Sequence, residues 1–298
     1  MKNLIKIITY SVILIFVTYS CGPDNNPKTK KASQVDTTFK YLDNNNMALG
    51  NPSKALTNID SSSNYLMVKH QYCLSYNNSK HIPNWVSWHL TTTDIPKLKR
   101  IDDFRRDSLL PASWYHVDST DYEGSGFDRG HMCPSADRTD SRADNWMTYV
   151  MSNMIPQAPN NNEHTWEQLE EYERSLVKAG NEVYIICGPY GQGGIGKKGY
   201  ADKLNHDIVV PAKTWKIIVV LPEGDTDIQR IDTSTRIIAV LMPNDQICSQ
   251  KKWYEYRVSV DSIESLTGYD FLSNVSKEIQ NIIEAKIDKA SIKLLDNN

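Results

Sequence analysis

His131, Arg129, Arg138, Asp128 and Asp137 fall within one short segment, 128–138, where a proton acceptor is surrounded by cations and carboxylates. This mixture points to phosphate chemistry. An unperturbed imidazole titrates near pKa ~6.5 and can accept a proton at neutral pH, while guanidinium groups present planar donors that match phosphate oxygens. Gly124, Ser125 and Gly126 just upstream favour a turn, and Phe127 marks the start of a half-buried strand. His131 is therefore expected on a strand or at its edge. Cys133, two residues further on, admits two readings: a catalytic thiol, or the small buried hydrophobe that cysteine more often is.

A second row of polar residues follows at helical spacing. The segment 165–178 is rich in helix formers and is followed by Gly180 as a stop signal; Trp166, Leu169, Leu176 and Val177 recur so as to face a core. Glu170 and Arg174 lie four apart, with the glutamate toward the N-terminus. Taken alone, they would form a surface ion pair worth about 0.2–0.5 kcal/mol. Asn162, at or just before the helix start, would by itself be a cap or turn residue.

Around these rows, strand-like runs occur at 72–76, 85–90, 183–187, 208–210, 215–221 and 237–242, and helical patterns at 263–266 and 275–287. The pattern is α+β. Residues 46–298 suffice for one sizeable domain, with neither an internal repeat nor a second low-complexity linker.

Ahead of that domain, 1–21 reads as a targeting segment: Lys2 and Lys6 precede a mostly apolar run from Ile7 to Val17 that is too short to span a bilayer comfortably. Thr18 and Ser20 before Cys21, with Gly22 after it, resemble a bacterial lipobox, so the chain is expected to be exported and anchored by a lipid on Cys21, facing the periplasm or the cell surface. An ordinary secretory signal is the alternative. Residues 22–45 are polar and read as a flexible tether. Cys73, Cys133, Cys187 and Cys248 remain in a disulfide-permitting compartment, but their pairing cannot be deduced, and the lack of a CxxC pair argues against structural zinc. With 33 Lys+Arg against 36 Asp+Glu, the chain has no global positive field to gather nucleic acid. Its densest basic patch is Lys97, Lys99, Arg100, Arg105 and Arg106, interrupted by Asp102 and Asp103.

Read jointly, Asp128-Arg129-Gly130-His131, then Ser152-Asn153-Met154-Ile155-Pro156-Gln157, then Asn162, Trp166, Leu169-Glu170 and Arg174 resemble the DNA/RNA non-specific endonuclease family. That family comprises ββα-metal nucleases, among them secreted bacterial sugar-nonspecific nucleases and the mitochondrial endonuclease G group. The likeness runs from about Ala48-Leu49-Gly50-Asn51-Pro52-Ser53 through Trp85-Val86-Ser87-Trp88, Gly188-Pro189 and Val210-Pro211 to Thr267-Gly268-Tyr269-Asp270-Phe271. One four-residue motif would be weak; two in order and spacing are strong.

The resemblance implies a ββα-metal (His-Me finger) fold with a central antiparallel sheet flanked by helices. It assigns His131 as general base, Asn162 as the direct ligand of a divalent metal, Mg²⁺ or another cation such as Mn²⁺, and Glu170 as the holder of metal-bound waters. Arg174 and Arg100 are matched to phosphate contacts, Arg100 less securely because Arg105 or Arg106 could serve instead. Asn153 supports the site by hydrogen bonds, Asp128 and Arg129 steady the histidine strand, and Arg129 lies near substrate. The activity implied is hydrolysis of DNA and RNA to 5′-phosphate ends, with homodimerisation, seen in some relatives, left open. Two rival readings keep the same groove: a phosphodiesterase of narrower scope, and a surface nucleic-acid-binding lipoprotein without turnover.

Overall fold

A computed structural model describes residues 46–96, 98 and 101–292. The targeting segment, the tether, Cys21 and Arg100 therefore lie outside the described residues. The frame is a seven-stranded sheet in which every neighbouring pair is antiparallel. Its strands are β1 (Tyr65–Val68), β2 (Cys73–Asn77), β3 (Ile82–Leu90), β6 (Asn181–Tyr190), β9 (Lys213–Pro222), β10 (Arg236–Pro243) and β11 (Arg257–Val258), in that spatial order. Two hairpin-like ribbons stand apart: β4 (Asp128–His131) with β5 (Met154–Gln157), and β7 (Gly194–Gly196) with β8 (Gly199–Ala201).

Alternation along the central strands builds two cores. Trp215, Ile217 and Val219 of β9, with Tyr184 and Ile186 of β6, face a core closed by the 260–267 and 277–283 helices. Lys216, Ile218 and Val220 of β9, with Val183, Ile185 and Cys187 of β6, face the opposite side. There the cover is the β4–β5 ribbon, through Met132, Met154 and Ile155, and a helix, through Trp166, Leu169, Tyr172 and Val177. A sheet buried on both faces explains why its strands read as near-continuous apolar runs.

The helices are α1 (Arg142–Met147), α2 (Glu167–Lys178), α3 (Asp227–Arg230), α4 (Val260–Thr267) and α5 (Lys277–Ile283). Before α2, Asn161–Trp166 winds as a π-helical turn, and after it Gly180 takes φ +88°, a conformation that ends the helix and that glycine adopts without penalty. None of the helices among the described residues is long and apolar enough to cross a membrane.

Three expectations change. Residues 208–210 form no strand, only an isolated bridge between Lys203 and Val209, because Val210 is drawn instead to hydrogen-bond Gly193 and Asp202. The helix expected over 275–287 is shorter, Lys277–Ile283, with Glu284 at its C-cap. All four described cysteines are buried free thiols. Burial pushes the Cys133 thiol well above its ordinary range, which makes it a packing residue and not a nucleophile.

Candidate active site

The β4–β5 ribbon and the π turn leading into α2 bring the two sequence motifs together. Gly130 pairs with Ile155 in the ribbon, and a Cβ at Gly130 would lie 2.1 Å from the Gln157 side-chain oxygen. The glycine of the Asp-Arg-Gly-His run is thus required by close approach. Gln157 itself is fully buried and donates to Asn161 Oδ1 at 2.5 Å, while Asn161 Nδ2 donates to the Pro243 carbonyl at 2.8 Å. This chain of bonds ties the ribbon to the π turn and sets where Asn162 stands. π turns of this kind are enriched at functional sites.

One cleft of about 570 Å³ is lined by Arg129, His131, Asn162, Glu163, Glu167, Glu170 and Arg174, with Phe104 and Asp128. His131 ends β4, its ring set edge-on to Tyr149 at 5.0 Å and tilted against Phe104 at 5.4 Å. The Arg129 guanidinium lies over the Phe104 ring, 4.7 Å from its centroid, so the same aromatic group orders both. Asn153 stands behind them, fully buried: its Nδ2 donates to the Cys133 and Thr148 carbonyls at 2.8 and 2.9 Å, and its Oδ1 accepts from the Cys133 N–H at 3.0 Å. It positions the turn after His131 and does not line the cleft.

Asn162 Nδ2 donates to Asp128 Oδ2 at 3.0 Å. Asp128 therefore orients the asparagine amide as well as sitting in the histidine strand, a role the sequence analysis did not give it. Burial raises the Asp128 pKa above its ordinary value. With its NH₂ held by Asp128, Asn162 is left with its amide oxygen as the atom able to bind a cation. That donor, beside the carboxylates of Glu163, Glu167 and Glu170 and with no thiol in the lining, suits a hard, oxygen-preferring ion such as Mg²⁺. Among the described residues, the trios of His, Cys, Asp and Glu that converge closely enough to hold an ion lie elsewhere.

Glu170 and Arg174 act on each other's charge but do not close the direct ion pair that their spacing suggested. Arg174 Nη1 bonds Asp137 Oδ1 at 2.9 Å, and Asp137, fully buried, also accepts from Trp88 Nε1 at 3.0 Å. Glu170 lies 3.8 Å from Lys216 Nζ, which sits 3.1 Å from Glu173 and 4.3 Å from the Trp166 ring centroid. Tertiary partners win because burial makes these charges far more demanding than a solvated helix-surface pair. Burial pushes the Glu170 carboxyl up to about 7 and Glu173 up to about 8, against the pull of Lys216. The Lys216 ammonium is held above its ordinary value by Glu173 and Glu170 despite complete burial.

Lys216 and Glu173 were missed by the sequence analysis. A lysine inside the apolar run Trp215 to Leu221 was the available signal, since a strand buried on both faces has no solvent to take its charge. Arg138, one of the two arginines that first drew attention, is structural: it is buried and donates to the Gln71 and His89 carbonyls at 2.7 and 2.8 Å. Arg105 stacks on Trp146 at 3.1 Å and Arg106 pairs with Asp118 at 3.0 Å, so neither is brought into the cleft lining.

Residues 50–278 match the model of the DNA/RNA non-specific endonuclease family. The chain belongs to that family. It is an endonuclease, a hydrolase of nucleic-acid phosphodiester bonds. A protein named Nuclease from Nostoc sp. (strain PCC 7120) is 50% identical over 242 residues, covering 81% of this chain and 85% of that one. Nuclease C1 of Cunninghamella echinulata is 30% identical, with 70% and 83% covered. A crystal structure of the EndoG/EndoGI complex, described as showing the mechanism of EndoG inhibition, superposes with a TM-score of 0.64 at 26% identity, covering 78% of this chain and 92% of that one. The fold is that of the ββα-metal nucleases, a central antiparallel sheet with few helices.

Proposed function

We propose that this endonuclease hydrolyses both DNA and RNA with little sequence preference, using His131 as general base and Asn162 as the ligand of Mg²⁺ or a similar divalent cation. The observation that carries the reading is the convergence of His131, the Asp128-oriented Asn162, Glu170 and Arg174 on one cleft. When bound, the cation supplies positive charge for the leaving oxygen and a more acidic water to protonate it. His131 accepts the proton of the attacking water at its ring nitrogen, a role worth roughly 10²- to 10⁴-fold in rate. Glu170 orients water by hydrogen bonding, with Lys216 behind it favouring its ionised form. Arg174, braced by Asp137, presents its remaining N–H groups to phosphate oxygens.

Arg129 lies near the substrate backbone, and the family resemblance supports a further phosphate contact from Arg100 and products with 5′-phosphate ends. These residues grip phosphate and leave base edges unread, which is the basis for weak sequence preference and for binding that weakens as salt rises. The lipobox-like Thr18 to Gly22 supports export and lipidation at Cys21. Loss of the protein from the membrane fraction in a Cys21→Ala strain tests that part. Cleavage of plasmid DNA and of RNA, each with Mg²⁺ and with EDTA, tests the chemistry. Undiminished cleavage by purified His131→Ala protein would sink the general-base assignment, and tight nucleic-acid binding with no metal-dependent turnover would favour a binding protein instead.

A further inference from the structure

On the face of the sheet opposite the cleft, α4 and α5 bring three carboxyl groups together. Asp261 and Glu264 lie three residues apart and so share one side of α4. Glu284, at the C-cap of α5, meets them there, and one oxygen from each of the three groups lies within 4.8 Å of the others. Backbone contacts hold the arrangement: the Asp261 N–H donates to the Glu284 carbonyl at 3.2 Å, and the Phe271 N–H donates to Glu264 Oε1 at 2.8 Å.

Among the described residues no cation forms an ion pair with any of the three carboxyl groups. Glu284 is only 2% exposed, and its Oε1 is buried without a hydrogen-bond partner among the described residues. Lys277 feels the charge of Glu264 and Glu284 from a distance, but its hydrogen bonds go to Asp270 at 3.2 Å and Gln280 at 2.8 Å. The contrast with His89, Glu182 and Asp227 is direct, because there the Arg230 guanidinium bonds both carboxylates and supplies the positive charge itself. Glu284 also stands at the negative end of the α5 dipole, where a carboxylate is disfavoured.

We propose that Asp261, Glu264 and Glu284 form a binding site for a hard divalent cation, calcium in preference to magnesium, that clamps the end of α5 to α4. The donors are all carboxylate oxygens, and exposed Asp261 leaves an entry path from solvent. Calcium accepts irregular geometry and two-oxygen carboxylate binding, whereas magnesium demands a near-ideal octahedron that three side chains at a helix junction do not offer. The site is a structural one, separate from the cleavage chemistry.

The test is thermal unfolding of the full-length protein carrying Asn162→Ala, which takes the proposed catalytic cation out of the measurement. Millimolar calcium should raise Tm by about 4 °C or more over EGTA, and equimolar magnesium by less. Glu284→Gln in the same background should abolish the calcium response. Asp261→Asn, at an exposed position that keeps the fold, should reduce it at least by half while leaving cleavage by the otherwise wild-type enzyme unchanged. No calcium response in the parent, or a response in Asp261→Asn or Glu284→Gln as large as the parent's, overturns the site; a magnesium response as large as that of calcium overturns the choice of ion. Because the reading is Tm and not cleavage, its failure leaves the nuclease mechanism untouched.

Discussion

Two clefts in this molecule are of similar size and are both lined by histidine, carboxylates and arginine, yet they hold their charges in opposite ways. In the cleft of about 470 Å³, His89 Nε2 bonds Glu182 at 3.0 Å and its ring stacks on Tyr184 at 4.3 Å. Arg230 then binds Glu182 and Asp227, and the Tyr184 hydroxyl closes on Asp227. His89, Glu182 and Asp227 are thus all met from within the protein. In the cleft of about 570 Å³, the compensating groups sit behind the functional ones: Asp137 behind Arg174, Lys216 behind Glu170, Asp128 beside Asn162. The difference teaches that residue types do not make a site. What matters is whether the charges are neutralised at the opening or held from the rear so that they face it.

Paired substitutions can break this comparison. His131→Ala should lower kcat on plasmid DNA by roughly 10²- to 10⁴-fold, whereas His89→Ala, at the other cleft, should lower Tm and leave kcat within a few-fold. Equal kinetic losses would erase the distinction. Lys216→Met should destabilise by about 3–5 kcal/mol in urea unfolding, because it strands Glu170 and Glu173 in a buried setting. Arg230→Met should also destabilise the fold, but should leave the folded enzyme's kcat unchanged, while Lys216→Met lowers it.

Gly130→Ala sharpens the geometric side. Its Cβ would meet Gln157, so about 1–3 kcal/mol of stability should be lost, with a fall in kcat as the ribbon shifts His131. The last expected effect is read as a slope against pH. The folded-state pKa of Glu173, about 8, lies above its ordinary 4.5, so its contribution to stability is fully present below about 4.5 and is lost as pH rises through about 8. Glu173→Gln should therefore flatten the decline of unfolding free energy with pH between those values, by at most ~1 proton in slope. An unchanged slope would mean that the glutamate is ionised throughout, held by Lys216.

The local features were legible because local physics sets them. Gly124 and Gly126 ahead of Phe127 announced the turn into the histidine strand, and the spacing of Trp166, Leu169 and Val177 announced the buried face of α2. Their joint order with His131 and Asn162 carried the family and the two halves of the site. The sequence pattern overran at 275–287, where apolar spacing continued past the point at which α5 ends at Glu284. It also misread 208–210, whose β-branched residues find loop hydrogen bonds and not a strand partner.

By itself, then, the sequence determined the α+β class, the family, and the candidates His131, Asn162, Glu170 and Arg174. Tertiary structure alone decided how those candidates are held. Glu170 and Arg174 are one helical turn apart, but their charges are settled by Lys216 and Asp137 from distant points in the chain. The reason is the environment: in water a neighbour four residues away is worth a few tenths of a kcal/mol, whereas a buried charge must be met by whichever opposite charge the packing brings to it.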